Sequence, residues 1–298
     1  MMREESTDTP GLKDGPTEAV KSENRTLRKL RRDKTTLAAL GLIIGLVLVV
    51  LLAPWLAPFS EEHINLQELL LAPSWAHPLG TDHLGRDVLS RILYGSQISV
   101  LVAVLSTLGA ATIGTVWGTT AAYYGRWFDE ISTRIFDVMF AFPYIVLAMA
   151  LVALIGPGTI NIIFVIAIVR IPMFARLVRA SALTIKEADF IHAASALGAR
   201  DYSIILKHLV PNLLGPVLVM GSLTMATAIN TEAALSFLGL GVTPPQSSWG
   251  TVLSDGRDYL WQAPWISTFA GIAITIAILG FNLLGDGLRD LLDPRLRS

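Results

Sequence analysis

The amino-acid sequence predicts an all-α polytopic membrane protein with six transmembrane helices, and three observations lead there. First, the 298 residues are 52% hydrophobic and only 16% charged, with a mean hydropathy of +0.56, far from the balance of a soluble globular domain. Second, apolar runs long enough to cross a bilayer recur at about 37–57, 98–122, 135–155, 159–178, 213–237 and 266–285. Third, Lys and Arg concentrate in alternate connections between these runs, as the positive-inside rule requires of a multi-pass chain.

Residues 1–35 come first, as an expected cytoplasmic segment. Up to about residue 20 it is polar, carries Pro10, Gly11, Gly15 and Pro16, and lacks apolar periodicity, so disorder is expected there. Lys21, Arg25, Arg28, Lys29, Arg31, Arg32 and Lys34 then form a basic block ahead of Leu37–Leu56. The long polar lead makes that run a retained first span and not a cleaved signal. Residues 36–298 form the membrane domain. Within it, Arg126 and Arg134, then Arg176, Arg179, Lys186, Arg200 and Lys207, then Arg289, Arg295 and Arg297 fall on the expected inside. Arg86, Arg91 and Arg257 fall outside. Trp55, Trp127 and Trp265 stand near span ends, where indole favours the headgroup level. Both termini are therefore expected to face the cytoplasm. The fourth run is the least regular, because Arg170 and Pro172 interrupt it. Gly41 with Gly45 and Gly114 with Gly118 are small-xxx-small pairs, read first as packing within the chain.

Between the fourth and fifth runs lies a connection over about 179–212, longer than a simple link and patterned throughout. Thr184 with Glu187 has the spacing of a capping box, and Phe190, Ala194 and Leu197 share one helical face. Gly198 breaks that helix. A second short helix is expected from Asp201 as N-cap through Ile204, Ile205 and Leu209, with Pro211 at the entrance to the fifth span.

Ala193-Ala194, Gly198 and Pro211 at these spacings resemble the EAA signature of ABC-importer permeases. His192 stands where the signature begins with an acid, with Glu187 and Asp189 upstream. Further blocks narrow the resemblance to the C-type subunit of dipeptide, oligopeptide and nickel importers: His77-Pro78-Leu79-Gly80-Thr81-Asp82 with Leu84 to Arg91, Ala234 to Gly241 followed by Trp249-Gly250, and Phe281 to Asp290 with Leu292-Asp293-Pro294-Arg295. This resemblance implies an inner-membrane permease that pairs with a second homologous permease subunit. It also implies two ATP-binding subunits inside, an extracytoplasmic substrate-binding protein and surrounding membrane lipid. His192, Ala193, Ala194, Gly198, Ala199, Asp201, Tyr202, Ile205 and Pro211 would then couple the chain to the ATPases. Peptide is the expected substrate and nickel the alternative. No cofactor is expected on this chain, ATP being used by the partners.

Other classes lack their residues. A net charge of −1 gives no basic field, so nucleic acid is not an expected partner. Zero cysteines exclude disulfides, thiolate metal sites and a thiol nucleophile. No P-loop, GxSxG elbow or HExxH pattern occurs, so neither ATP hydrolysis nor a membrane hydrolase is expected of this chain. A secondary carrier would show more intramembrane acids and internal repeats. Asp82, His83, Arg86 and Asp87 could suggest a metal or catalytic cluster. Their glycine-rich setting favours a structured turn with Arg86 pairing a carboxylate, and no metal is expected. Asp286, Arg289 and Asp290 read as a solvated helix end. Glu232, beside Asn230 and Thr231, either lines a pathway or lies exposed at the interface. Arg170 lines a cavity or, as preferred, marks the cytoplasmic boundary.

Overall fold

The structure is a computed structural model that describes residues 34–292; the predicted N-terminal segment, its basic block through Asp33 and the Asp293-Pro294-Arg295 ending lie outside the described residues. Among those residues the chain is helical, its one β-type contact being an isolated bridge between Thr81 and Asp87. The order is α1 (Lys34–Leu56), α2 (Val88–Tyr124), α3 (Arg126–Phe140), α4 (Tyr144–Ile155), α5 (Thr159–Lys186), α6 (Asp189–Ala196), α7 (Asp201–Ile204), α8 (Val210–Phe237), α9 (Trp249–Arg257) and α10 (Pro264–Leu292). A π-helical turn, Ile205–Leu209, joins α7 to α8. Five helices are long and apolar enough to cross a membrane, and there are six crossings if the bent pair α3–α4 counts as one.

The third run is not the single straight span expected over 135–155. The axes of α3 and α4 meet at 91°. Pro143 supplies the reason: it has no N–H to donate, and its ring steers Phe142 out of the helical region. With 12 residues, α4 reaches only about 18 Å, short of a bilayer core, and α3, which carries Asp129, Glu130, Arg134 and Asp137, lies across it. Pro172 behaves differently. Helix α5 continues through it, buried, at the loss of one donor to the Ile168 carbonyl.

Helix α2 begins well ahead of its apolar run because Asp87 caps it, accepting a 2.8 Å hydrogen bond from the Ser90 amide. At 37 residues it is about 55 Å long and projects beyond any bilayer. The helix ends sort into two groups. Residues 57–87 and 238–263 meet at one end, here the upper, where the Ser247 amide donates to Glu61 and the Trp265 indole to the Thr81 carbonyl. The ends of α2 and α5 meet α6 and α7 at the lower end, where Lys186 Nζ donates to the Tyr123 carbonyl and Tyr123 Oη to Asp201. Successive crossings thus alternate between ends, as the Lys/Arg pattern requires.

Val102, Ile162, Ile166, Ile229, Leu235 and Phe281 form the centre of the main core. Helix α1 is peripheral, with Ile44, Leu48, Leu51 and Trp55 exposed, as suits a lipid-facing helix. The two glycine pairs have different fates. A Cβ on Gly118 would sit 2.4 Å from the Ala175 carbonyl oxygen, and one on Gly114 would sit 2.5 Å from Phe174 Cβ, so α2 and α5 touch backbone to backbone. Gly41 and Gly45 meet nothing within 4 Å, so in this chain they do no packing. Accordingly, Gly118→Ala should destabilise the solubilised protein by about 1–3 kcal/mol, seen as a lower Tm, whereas Gly41→Ala should leave the Tm unchanged or higher.

Candidate functional site

The lower end carries the segment singled out by the sequence. Helix α5 runs two residues past Thr184, the expected N-cap, so Thr184 lies inside it and bonds back to the Ala180 carbonyl, while Glu187 ends it. Packing decides this: Ala182 and Ile185 are drawn into a core against α2, and Lys186 is tied to α2's last carbonyls. Helix α6 instead begins after an extended Ala188. It ends in a Schellman arrangement, in which Gly198 N–H donates to the Ser195 carbonyl at 2.9 Å and Ala199 N–H to the Ala194 carbonyl at 3.1 Å. That geometry needs a left-handed residue, and Gly198 has φ 79°. A Cβ there would meet nothing within 4 Å, so conformation alone demands glycine.

Arg200, in extended backbone, occupies the N-cap of α7, and the expected cap Asp201 is its first residue. Its carboxylate is taken by the Tyr123 hydroxyl at 2.8 Å, which ties α7 to the end of α2. The widened turn Ile205–Leu209 follows, with Val210 N–H reaching back to the Ile205 carbonyl. It stands where Pro211, lacking an N–H, would clash with the Lys207 carbonyl in a regular helix.

Two faces result. Ile191, Ile204 and Leu209 are buried against Ala122 of α2, Val178 and Ala182 of α5 and Leu213 of α8. Phe190, Leu197, Tyr202 and Leu206 point outward, Leu197 being 89% exposed. His192, Ala193, Gly198, Asp201, Tyr202 and Pro211 are exposed, while Ala194, Ala199 and Ile205 are half-buried. Four large side chains, three of them aliphatic or phenyl, are thus left uncovered at this end. The sequence pattern placed Phe190 and Leu197 on one face but could not tell an inward face from an outward one.

The other sequence candidates separate. Glu232 is fully buried. Its Oε2 accepts from Ser99 Oγ at 2.9 Å and its Oε1 from Ser236 Oγ at 2.7 Å. Ser99 Oγ in turn accepts from the Trp249 amide at 3.2 Å. Glu232 thus fastens α2, α8 and the start of α9 together. Asn230 faces outward. Arg170 is half-buried in α5, its guanidinium 4.5 Å from the centre of the Tyr144 ring.

At the upper end Arg86 does pair a carboxylate, within a larger network. Asp82 Oδ2 lies 2.7 Å from Arg86 Nε and 2.8 Å from Arg91 Nη1. Asp255 lies 2.9 and 2.8 Å from the same two guanidinium groups. Burial pushes the Asp82 carboxyl up, but Arg91, Arg86 and the Arg86 and Leu84 amides outweigh it and hold the group below the ordinary carboxylate range. His77 bridges Asp87 at 2.9 Å and Glu68 at 3.3 Å. Asp82, His83 and Asp255 bring three donor atoms close together. Two arginines already occupy the carboxylates and would repel a cation, so the cluster fits a structural staple better than a metal site. Asp255 escaped the sequence reading because its partners lie more than 160 positions away.

This helical bundle, with an anchored helix pair presenting an apolar face at one end, has a counterpart among solved structures. A chain of the solved inward-facing MetNI methionine ABC transporter shares the fold, with TM-score 0.54 and 19% identity over 66% of this chain and 94% of that one. The chain belongs to the binding-protein-dependent transport system inner membrane component family, whose profile matches residues 114–298. Residues 24–73 match the N-terminal transmembrane domain of oligopeptide transport permease C. The dipeptide transport system permease protein DppC of Alkalihalophilus pseudofirmus is 43% identical over 94% of this chain and 92% of its own length. The glutathione transport system permease protein GsiD of Escherichia coli O1:K1 / APEC is 43% identical over 91% of this chain and 90% of its own. The protein is therefore a multi-pass inner-membrane component.

The staple gives a pH prediction. A carboxyl depressed by folding contributes stability that is complete above the unfolded value of about 3.9 and is lost as pH falls toward the lower folded value. Thermal melts should therefore show an acid limb below about pH 4 that Asp82→Asn flattens. At neutral pH the same substitution should cost about 3 kcal/mol, because it strips a buried guanidinium of a partner.

Proposed function

We propose that this chain is one of two permease subunits of an ATP-driven, binding-protein-dependent importer of peptides, and that its α6–α7 pair receives the stroke of the ATPase subunits. The observation that carries this reading is the two-faced lower end: Ile191, Ile204 and Leu209 lock the pair to three spans while Phe190, Leu197, Tyr202 and Leu206 are left uncovered. A rigid pair with one unburied apolar face suits a soluble partner that pushes on it. The lower end is then cytoplasmic, as the Lys and Arg pattern supports, and the upper end receives a loaded extracytoplasmic binding protein. A second, homologous permease completes the pathway, and ATP is bound and hydrolysed by the partners, this chain acting as a non-enzymatic transport subunit.

Alternating access requires that nucleotide and loaded receptor favour different states, since a ligand that binds both equally shifts neither. Motion imposed on α6 and α7 passes to α2, α5 and α8 together through their shared core. The peptide assignment leans on relatives named for dipeptide and glutathione transport at 43% identity. Nickel, the alternative raised by the sequence blocks, has no comparable support, and membership of this family counts against a secondary carrier.

Gly198→Val tests the coupling role. A β-branched residue resists the left-handed conformation by about 1–2 kcal/mol or more, enough to reshape the turn without touching the spans. Membrane yield should be unchanged while ATP-dependent peptide uptake into proteoliposomes falls to background. Full uptake by this variant would remove the coupling assignment. Leu206→Asp, which leaves the backbone alone, should release the ATPase subunits on detergent purification.

A further inference from the structure

Helix α5 carries three arginines that face α3 and α4, and two of them have acids of their own. Arg179 grips Asp129, and Arg176 lies 2.7 Å from Asp137. Arg170 forms no salt bridge among the described residues, and its Nη2 is buried without a hydrogen-bond partner. It lies about 16 Å along the helix from Thr159, at 1.5 Å per residue, near mid-depth of a bilayer core about 30 Å thick. A guanidinium at that depth faces protein or a water-filled path, not lipid. Beside it is a cavity of about 230 Å³ lined by Met139, Phe142, Tyr144, Val169, Pro172 and Met173. The cavity sits at the elbow where Pro143 breaks the third crossing, so the bend that shortens α4 also opens this niche.

A planar cation that forms no ion pair among the described residues, stacked on one aromatic ring and bordering space lined by methionine and phenylalanine, suits one class of ligand. That ligand bears a carboxylate and a variable apolar neighbour. The carboxylate takes the fork of the guanidinium, and the Met and Phe walls adapt to differing side chains. We propose that the Arg170–Tyr144 niche is a carboxylate-binding station in the translocation pathway, where the C-terminal carboxylate of a peptide in transit is held. This rests on the importer reading above. Arg170 is then a pathway residue, not the marker of a boundary. A side-chain carboxylate of the second permease offers the same chemistry, and the test separates the two sources.

The assembled importer, reconstituted in proteoliposomes with p-benzoylphenylalanine in place of Phe142, is illuminated during turnover with a radiolabelled dipeptide. The expected result is peptide label on this chain that falls about tenfold or more in Arg170→Gln, the scale of one lost charge-assisted hydrogen bond. Arg170→Lys, which keeps the charge, should retain part of it. Uptake should fall in parallel, and Arg134→Gln, altering an exposed arginine outside the niche, should change neither. Equal labelling in Arg170→Gln overturns the proposal. So does cross-linking to the second permease that is indifferent to peptide, which would assign the carboxylate to that subunit. Absence of ATP-dependent uptake in the unsubstituted complex would instead count against the importer reading.

Discussion

The backbone-to-backbone contact of α2 and α5 at Gly114 and Gly118 is the constraint on which the remainder depends. Between helices in lipid there is little hydrophobic gain, so close packing must supply the association. Only glycine lets α2 approach the Phe174 and Ala175 backbone this closely. The seam fixes the height of both lower ends. Ala122 from α2 and Val178 and Ala182 from α5 then form a floor onto which Ile191, Ile204 and Leu209 pack. Lys186 and Tyr123 close it with hydrogen bonds that run from one helix end to the next.

The upper end is held by different means. There the chain passes through a long irregular segment, 57–87, whose backbone needs partners outside any helix. Asp82 Oδ1 takes the Leu84 and Arg86 amides and Thr81 Oγ1 the Leu71 amide, the Asp82–Arg86–Arg91–Asp255 network and the His77–Asp87 pair hold those side chains in place, and Glu232 and its serines pin α9 against α2 and α8. Polar staples at one end and an apolar floor at the other leave the α3–α4 elbow as the least regular part of the crossing region. A bend between two well-held ends can move while the helices on either side stay seated.

Much of this was legible in the sequence. Long apolar runs and the Lys/Arg alternation located the spans, because burial in lipid imposes a length and a side on every one. Gly198 was readable as a break, since a glycine after an amphipathic turn points to a left-handed cap. The misreadings share a cause. Phe142-Pro143 carried a break signal, but the apolar residues next to it on both sides, Val138 to Ala141 and Tyr144 to Ile155, masked it. Pro172 looked like an interruption and was absorbed by a helix buried on most sides. Thr184 and Glu187 had capping spacing, yet tertiary packing of Ala182 and Ile185 carried α5 past Thr184 to end at Glu187. Glu232 and Asp255 depend on Ser99, Arg86 and Arg91 far along the chain, and no local pattern announces such partners.

If the exposed face of α6 and α7 meets an ATPase on the cytoplasmic side, a reactive group placed there must reach that subunit. The chain has no cysteine, so a single introduced thiol reports one place. Leu206→Cys and, at the opposite end, Trp261→Cys, each derivatised with a thiol-to-amine cross-linker in native membranes, test the claim directly. Leu206→Cys should capture an ATP-hydrolysing subunit, and Trp261→Cys should not. Capture of that subunit from Trp261→Cys, or capture of the extracytoplasmic binding protein from Leu206→Cys, would contradict both the coupling surface and the orientation.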